Sequence, residues 1–548
     1  MLHLLVLLPL LAPPTPQVGF ASETLLSSTT DVGDKFGDSI DVDGDVLVVG
    51  ARANADLAPT AGQAVVFERQ ADGSWLEVAV LSPPTPEVVG FFGDEVAVSG
   101  VNVFVAERND DVFGANEGAV YVYERQPDGT WPLIQTLGPA DLADSRTFGA
   151  DLDAWGPRLA VASGGAVDEP SPVSIFLRQP DGTFALEDEV ISPTTTTSFG
   201  HFPGVVAMEA DWLVVGSPNY YETVVGPVGE LLDFLPVAHV FRRDPSGSWL
   251  PLANLYWPGG APGNEFGAAV DLELHAGGAL VAIGAAHAPP TGRVFLFDVD
   301  TSGVVQELDQ VEVSTGPCCN STFGDAVLLT GERLIASDPL FRTGVEVYDT
   351  GRIYVFDRTA PDEWSLVQIL EDDLAVPDDW RELGTSLALD GSALLAGEPG
   401  PGGPASKVTG EVHVFSDIRL FHGLPELSLG AGGSQDLLVA AGPQSAGASY
   451  LMLGSASGTQ PSIPLPGGLA LPLVLDAYTD LTLAGGGGLL SGNFGTLGPL
   501  GDAVATFALP AGSDPVLAGL TVHHAYVVIG AASAITAVGG PAPLVLMP

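Results

Sequence analysis

A Phe-Gly or Leu-Gly pair recurs seven times between Phe36 and Gly384, at intervals of 51 to 67 residues. The pairs are Phe36-Gly37, Phe92-Gly93, Phe148-Gly149, Phe199-Gly200, Phe266-Gly267, Phe323-Gly324 and Leu383-Gly384. Most lead through a short turn into an apolar run such as Leu47-Val48-Val49-Gly50 or Leu213-Val214-Val215-Gly216. A fixed period of this length marks one supersecondary unit that buries its faces only against neighbouring copies, and a closed ring satisfies every copy. Repetition also accounts for the length: 548 residues exceed one ordinary core, whereas a propeller of roughly 400 residues forms a single domain.

The first copy reads as four strands, Asp38 to Val42, Val46 to Ala51, Gln63 to Arg69 and Trp75 to Leu81. Asp43-Gly44 and Asp72-Gly73 supply turns in which glycine accepts a positive φ. The third-to-fourth hairpin returns almost verbatim: Val65-Val66-Phe67-Glu68-Arg69 leading to Trp75 is matched by Val120-Tyr121-Val122-Tyr123-Glu124-Arg125 leading to Trp131, and by Ile175-Phe176-Leu177-Arg178 leading to Phe184. Apolar and polar residues alternate with period two, and no useful length shows helical periodicity. The predicted fold class is all-β, a seven-bladed β-propeller followed by a small C-terminal β-sandwich-like domain.

The seventh copy stops after Glu411-Val412-His413-Val414-Phe415, one strand short of the others. Ahead of the first Phe-Gly, Glu23-Thr24-Leu25-Leu26-Ser27-Ser28 resembles Val78-Ala79-Val80-Leu81-Ser82 ahead of the second. Residues 23–28 are therefore expected to complete blade seven by pairing Leu25 and Leu26 with Val412 to Phe415, which removes an open sheet edge. After Arg419 no Lys or Arg follows, and short apolar runs alternate with Gly-rich turns. The expected domains are a leader over 1–21, the propeller over 22–418 and the β-sandwich-like module over 424–548. The uncharged stretch Ala525 to Pro548 is broken by Gly530, Gly539, Gly540, Pro541 and Pro543, which favours buried strands over a membrane span.

The Phe-Gly opening followed by a Gly-Ala-Pro-like triplet resembles the FG-GAP repeat family, found in the integrin α-subunit propeller and in secreted bacterial proteins. The resemblance covers about residues 19 to 417. Gly50-Ala51-Arg52, Gly216-Ser217-Pro218, Gly284-Ala285-Ala286 and Gly397-Glu398-Pro399 are near the triplet, while Ala106-Glu107-Arg108 and Ser337-Asp338-Pro339 have drifted. The resemblance implies calcium in Asp-rich loops between the first two strands, since a hard cation wants closely spaced oxygens. Asp41, Asp43 and Asp45 keep such spacing in one copy, where a plain hairpin is the competing and preferred reading. Asp298, Asp300 and Ser302, with Asp309 at the twelfth position, meet most of a calcium-loop template but sit where other copies place a hairpin turn. No cofactor is required on this reading, and calcium is the ion to test.

With 68 acidic and 18 basic residues the formal charge is -50, and Lys35 and Lys407 are the only lysines. Nucleic acid is excluded as a partner, because phosphate neutralisation needs clustered Lys and Arg. Leu2 to Leu11 has the length of a signal-peptide core, too short to span a bilayer, with cleavage expected near Ala21; no Lys or Arg precedes it. The two cysteines, Cys318 and Cys319, are adjacent and form no disulfide framework. Asn320-Ser321-Thr322 fits a glycosylation acceptor, with a chance tripeptide the preferred reading.

Motifs for catalysis are missing: no G-x-S-x-G elbow, no H-E-x-x-H helix and no P-loop occur. His523-His524 lies in a strand-like run that sends the two rings to opposite faces. Glu371-Asp372-Asp373 and Asp378-Asp379-Trp380 read as a solvated acidic loop, with a binding rim the alternative. The expected function is a secreted or cell-surface adhesion protein, a monomer without enzymatic activity, presenting loops to an extracellular protein or glycan. A hydrolase or lyase in the central channel and a structural envelope or matrix protein are the alternatives.

Overall fold

The computed structural model describes residues 17–547 apart from 22, 71–73, 140–146, 165–170, 192–203, 219–220, 226–230, 314–320, 343–348, 372–380, 401–408, 416–425 and shorter gaps. Seven sheets follow one another from Phe36 to Phe415, each built on four antiparallel strands, the seventh taking its fourth from Glu23–Leu25. Blade one is Phe36–Asp43, Val46–Ala51, Gln63–Arg69 and Trp75–Leu81 in that order. Each blade's first strand packs against the first strand of the next blade, and Leu387–Asp390 of the seventh packs against Phe36–Asp43 of the first. The sheets are thus arranged like propeller blades around a closed ring.

Apolar clusters show why these residues choose strands. Val46 and Val48 pack with Val96, Val98 and Tyr121 of blade two, whereas Leu47 and Val49 pack with Leu395, Val412 and Val414 of blade seven. Period-two alternation therefore feeds two blade boundaries from one strand, and the second strand is buried on both faces. Each fully buried Val or Leu contributes roughly 1.5–3 kcal/mol.

Among the described residues the Phe-Gly pair works at the entry to the inner strand, as blade one shows. Phe36 is buried and pairs with Ala51, after which the register shifts. Gly37 takes φ +92°, and a Cβ there would stand 2.7 Å from the carbonyl oxygen of Glu411 in the preceding blade. Only glycine allows that turn and that approach together.

Glu23–Leu25 pairs antiparallel with Glu411–Phe415, with Leu25 opposite Val412 and buried. The strand ends at Leu25, and Leu26 is exposed. Gln17–Phe20, within the expected leader, forms a parallel fifth strand on Glu363–Glu371 of blade six. Blade four carries an extra strand, Tyr221–Val225, paired with the first half of the long strand Leu231–Arg243.

From residue 426 onward a five-stranded and a three-stranded sheet share one core, in which Tyr450, Met452, Tyr526 and Val528 of the first meet Leu437, Ala505 and Phe507 of the second. This is sandwich-like packing. Within the uncharged stretch, Ala525 to Ile529 belong to the strand Thr521–Ile529, and Ile535–Met547 is a second strand. Among the described residues no helix is long and apolar enough to cross a membrane. His524 is buried against Tyr478 and Phe507 while His523 faces the other way.

Candidate functional site

The two ends of the ring differ. Where the Phe-Gly or Leu-Gly pair is described, the inner strand starts at that end and the chain enters the blade there, and antiparallel order brings the second-to-third connection to the same end. Those connections are long: 52–62 and 82–91 around blade one, 108–118 in blade two, 399–410 in blade seven. The blade-four hairpin extends at this end as well, because Tyr221 pairs with Pro236 just beyond the Tyr256–Val237 pair of the blade proper. The opposite end has tight turns such as Gly44-Asp45, Gly100-Val101 and Gly156-Pro157.

Acidic side chains converge on the bore, where each inner strand has backbone N–H groups that its own sheet does not pair. Asp41 accepts from the N–H of Val98 at 2.7 Å and Asp43 from Gly100 at 2.7 Å, both in blade two. Blade three repeats this toward blade four, Asp151 accepting from Val206 at 2.6 Å and Asp153 from Met208 at 2.5 Å. Blade five repeats it toward blade six, Asp271 accepting from Leu329 and Glu273 from Gly331, each at 2.6 Å. A side chain on one strand thereby satisfies orphan donors on the next. Burial pushes Asp41 up to about 6 and Asp151 and Asp271 to about 7, with the accepted N–H groups pulling the other way. Asp153 is raised well above the ordinary range, first by burial and then by the charge of Asp41, with Asp271 a smaller contributor.

Of the residues expected to hold calcium, Asp41 and Asp43 are these inter-blade acceptors, and Asp45 pairs with Arg125 of blade two at 2.9 Å. Asp300 caps its own hairpin, accepting from the Ser302 hydroxyl at 2.7 Å and the Ser302 and Val304 N–H groups at 2.8 and 3.0 Å. Asp128, Asp181 and Asp244 cap the hairpins of blades two, three and four in the same way. Asp298 meets His275 at 3.1 Å, while Asp309 accepts from Trp364 of blade six at 3.1 Å. Neither set converges on a common point: among the described residues the one group of three ligand-bearing side chains near enough to share an ion lies elsewhere. The donor sets do not fit the family's calcium loop, because their oxygens already accept from the protein.

The recurrent Glu-Arg of the outer hairpin links blades too. Arg125 bonds Glu68 of blade one at 2.6 Å, Arg178 bonds Glu124 of blade two at 2.5 Å, and Arg69 pairs with Asp390 of blade seven. At the Phe-Gly end Arg52 joins Asp38 and Asp94, and Arg108 joins Asp94 at 2.9 Å.

The sequence reading passed over the middle of the Gly-Ala-Pro-like triplet as a functional position. It holds a buried carboxylate in three blades, Glu107, Asp338 and Glu398. Asp338 accepts from the Ser321 hydroxyl at 2.5 Å and the Thr322 N–H at 2.8 Å. Glu398 accepts from Arg381 at 2.8 Å, and its second oxygen lies 3.2 Å from Nε2 of His413, whose ring also stands 3.6 Å from Glu411. Burial, then Asp110 and Glu87, push Glu107 up to about 9. The signal was an acid in place of a small residue at the middle of the triplet, in the two that had drifted and in Gly397-Glu398-Pro399, which otherwise keeps the pattern. Phe199-Gly200, Asp72-Gly73, Cys318, Cys319, Asn320 and the acidic cluster over 372–380 lie outside the described residues.

A protein-family model described as the FG-GAP repeat matches residues 22–67, which hold the closing strand of blade seven and three strands of blade one. No curated protein matches the sequence. A crystal structure of a structural-genomics protein from Lactobacillus plantarum is similar over 64% of this chain and 88% of its own, at 13% identity and a TM-score of 0.42. The matched unit is one blade out of step with the sheets, its first strand belonging to the preceding blade and its Phe-Gly opening the next, so the likeness to the FG-GAP repeat is shown over residues 22–67.

Proposed function

We propose that this chain is a secreted or cell-surface binding protein that presents the Phe-Gly end of its ring to an extracellular protein or glycan, without catalysis. The asymmetry of the two ends carries the reading: long connections and the blade-four hairpin gather at one end, tight turns at the other. Binding residues concentrate on loops held by a rigid scaffold. The leader-like start and the charge of -50 support an exterior setting. The test is a pull-down from the native exterior with the full chain and with a variant in which residues 220–236 are replaced by a short Gly-Ser turn, run with calcium and with chelator. Loss of the captured partner at unchanged melting temperature is expected, and capture by neither protein or equally by both refutes the reading.

The carboxylates Asp41, Asp153 and Asp271 favour a second reading, a hydrolase or lyase in the bore, because raised carboxyl groups suit general acid work. An activity toward extracellular polysaccharide abolished by Asp153→Asn, with folding intact, would select it over the binding reading.

A further inference from the structure

We propose that Glu398, Glu411 and His413 form a site for a divalent transition-metal ion, zinc by its donor set, at the seam where the ring closes. This is independent of the binding reading and lies apart from the loop between first and second strands. Glu398 ends the strand Ala393–Glu398, Glu411 opens the strand Glu411–Phe415, and the two are cross-strand partners. His413, two residues on, shares a face with Glu411. One oxygen of each carboxylate and Nε2 of the imidazole lie within 4.8 Å of one another, and the two distances from Nε2 are 3.2 and 3.6 Å. Zinc bonds of about 2.0–2.2 Å in tetrahedral geometry place neighbouring ligand atoms about 3.3–3.6 Å apart, so Nε2 already stands close to ligand spacing from both carboxylates.

The surroundings agree with a built site. Glu398 and His413 are fully buried, and Oε2 of Glu398 has no hydrogen-bond partner while its Oε1 is held by Arg381. Nδ1 of His413 is 3.4 Å from the hydroxyl of Thr24, the outer partner that a metal-bound imidazole needs to fix its tautomer. Thr24 belongs to the N-terminal strand that completes blade seven, so a bound ion orders the clasp through His413. Two carboxylates against Arg381, with a neutral imidazole, leave one net negative charge for the ion. Glu411, with its side chain 20% exposed, gives the ion its route from solvent. One nitrogen and two oxygens suit zinc better than calcium, which prefers an all-oxygen shell.

The test uses the full chain stripped with chelator and titrated calorimetrically with zinc chloride, with cobalt chloride as the spectroscopic probe. One zinc per chain at micromolar or tighter Kd is expected, with visible cobalt bands of tetrahedral intensity. Glu411→Gln, partly exposed and near-isosteric, is expected to weaken zinc at least tenfold while the stripped protein keeps its melting temperature. His413→Gln is the second variant, and a failure of it to fold leaves the Glu411→Gln result decisive. Absence of one-to-one binding, an unchanged affinity in Glu411→Gln, which would place the ion on the acidic surface, or equal affinity for calcium would each overturn the site.

Discussion

Glu107, Asp338 and Glu398 occupy one position in three blades, and each meets burial differently. Asp338 receives a hydroxyl and an N–H, and Glu398 receives a guanidinium. Burial first, and then the charges of Asp110 and Glu87, hold the proton on Glu107 at neutral pH, while Asp110 accepts from the Tyr121 hydroxyl. A carboxyl whose folded pKa is raised contributes stability that is fully present below its unfolded pKa and is lost as pH rises through the folded value, here about 9. Glu107→Gln carries the neutral form permanently beside Asp110. It is expected to raise stability by about 1–3 kcal/mol at pH 8 and to change little at pH 4. Chemical denaturation at the two pH values checks this, and equal effects at both would contradict it.

The inner strands act as a set. Their carboxylates accept backbone N–H groups across blade boundaries, and Asp41, Asp151, Asp153 and Asp271 are all raised by burial. With folded values of about 6 to 7 for Asp41 and Asp271, their contribution is complete below about pH 4 and declines as pH rises through 6 to 7. The wild type is therefore expected to gain several degrees in melting temperature between pH 8 and pH 5. The triple variant Asp41→Asn, Asp153→Asn, Asp271→Asn keeps an acceptor oxygen at each site, and its profile over that window should be flatter. Parallel profiles would show that general charge repulsion, and not the bore, sets the slope.

These strands were legible because alternation and Asp-Gly turns are local: Val46–Ala51, Gln63–Arg69 and Trp75–Leu81 fall where the sequence puts them. The destination of their polar atoms was not, since Asp41 and its donor Val98 are 57 residues apart. An Asp-x-Asp-x-Asp spacing looks the same whether its oxygens gather on an ion or point at the next blade. The blade-four hairpin escaped notice because nothing in its short alternation distinguishes an inserted pair from a blade strand. Gln17–Phe20 escaped because a leader reading removes it from the fold.

At the scale of the whole molecule, closure decides whether seven sheets form a ring or an open arc. Seven apolar clusters lie one at each blade boundary, and the one joining blades seven and one contains Leu25 together with Phe36, Leu47, Leu395 and Val412. Only three residues, Glu23–Leu25, complete the seventh sheet. Without them Glu411–Phe415 becomes an open edge whose N–H and C=O groups seek another strand. Two truncations separate the clasp from the leader. Removing residues 1–21 takes Gln17–Phe20 from the outside of blade six and leaves the ring closed, so it is expected to change melting temperature little. Removing residues 1–28 takes Leu25 from its cluster, at a cost of about 2–5 kcal/mol for the side chain alone, and opens the edge. That variant is expected to melt several degrees lower and to form dimers or larger species by light scattering after size exclusion. If both truncations behave alike, the ring is held by its blade boundaries and the N-terminal strand is dispensable.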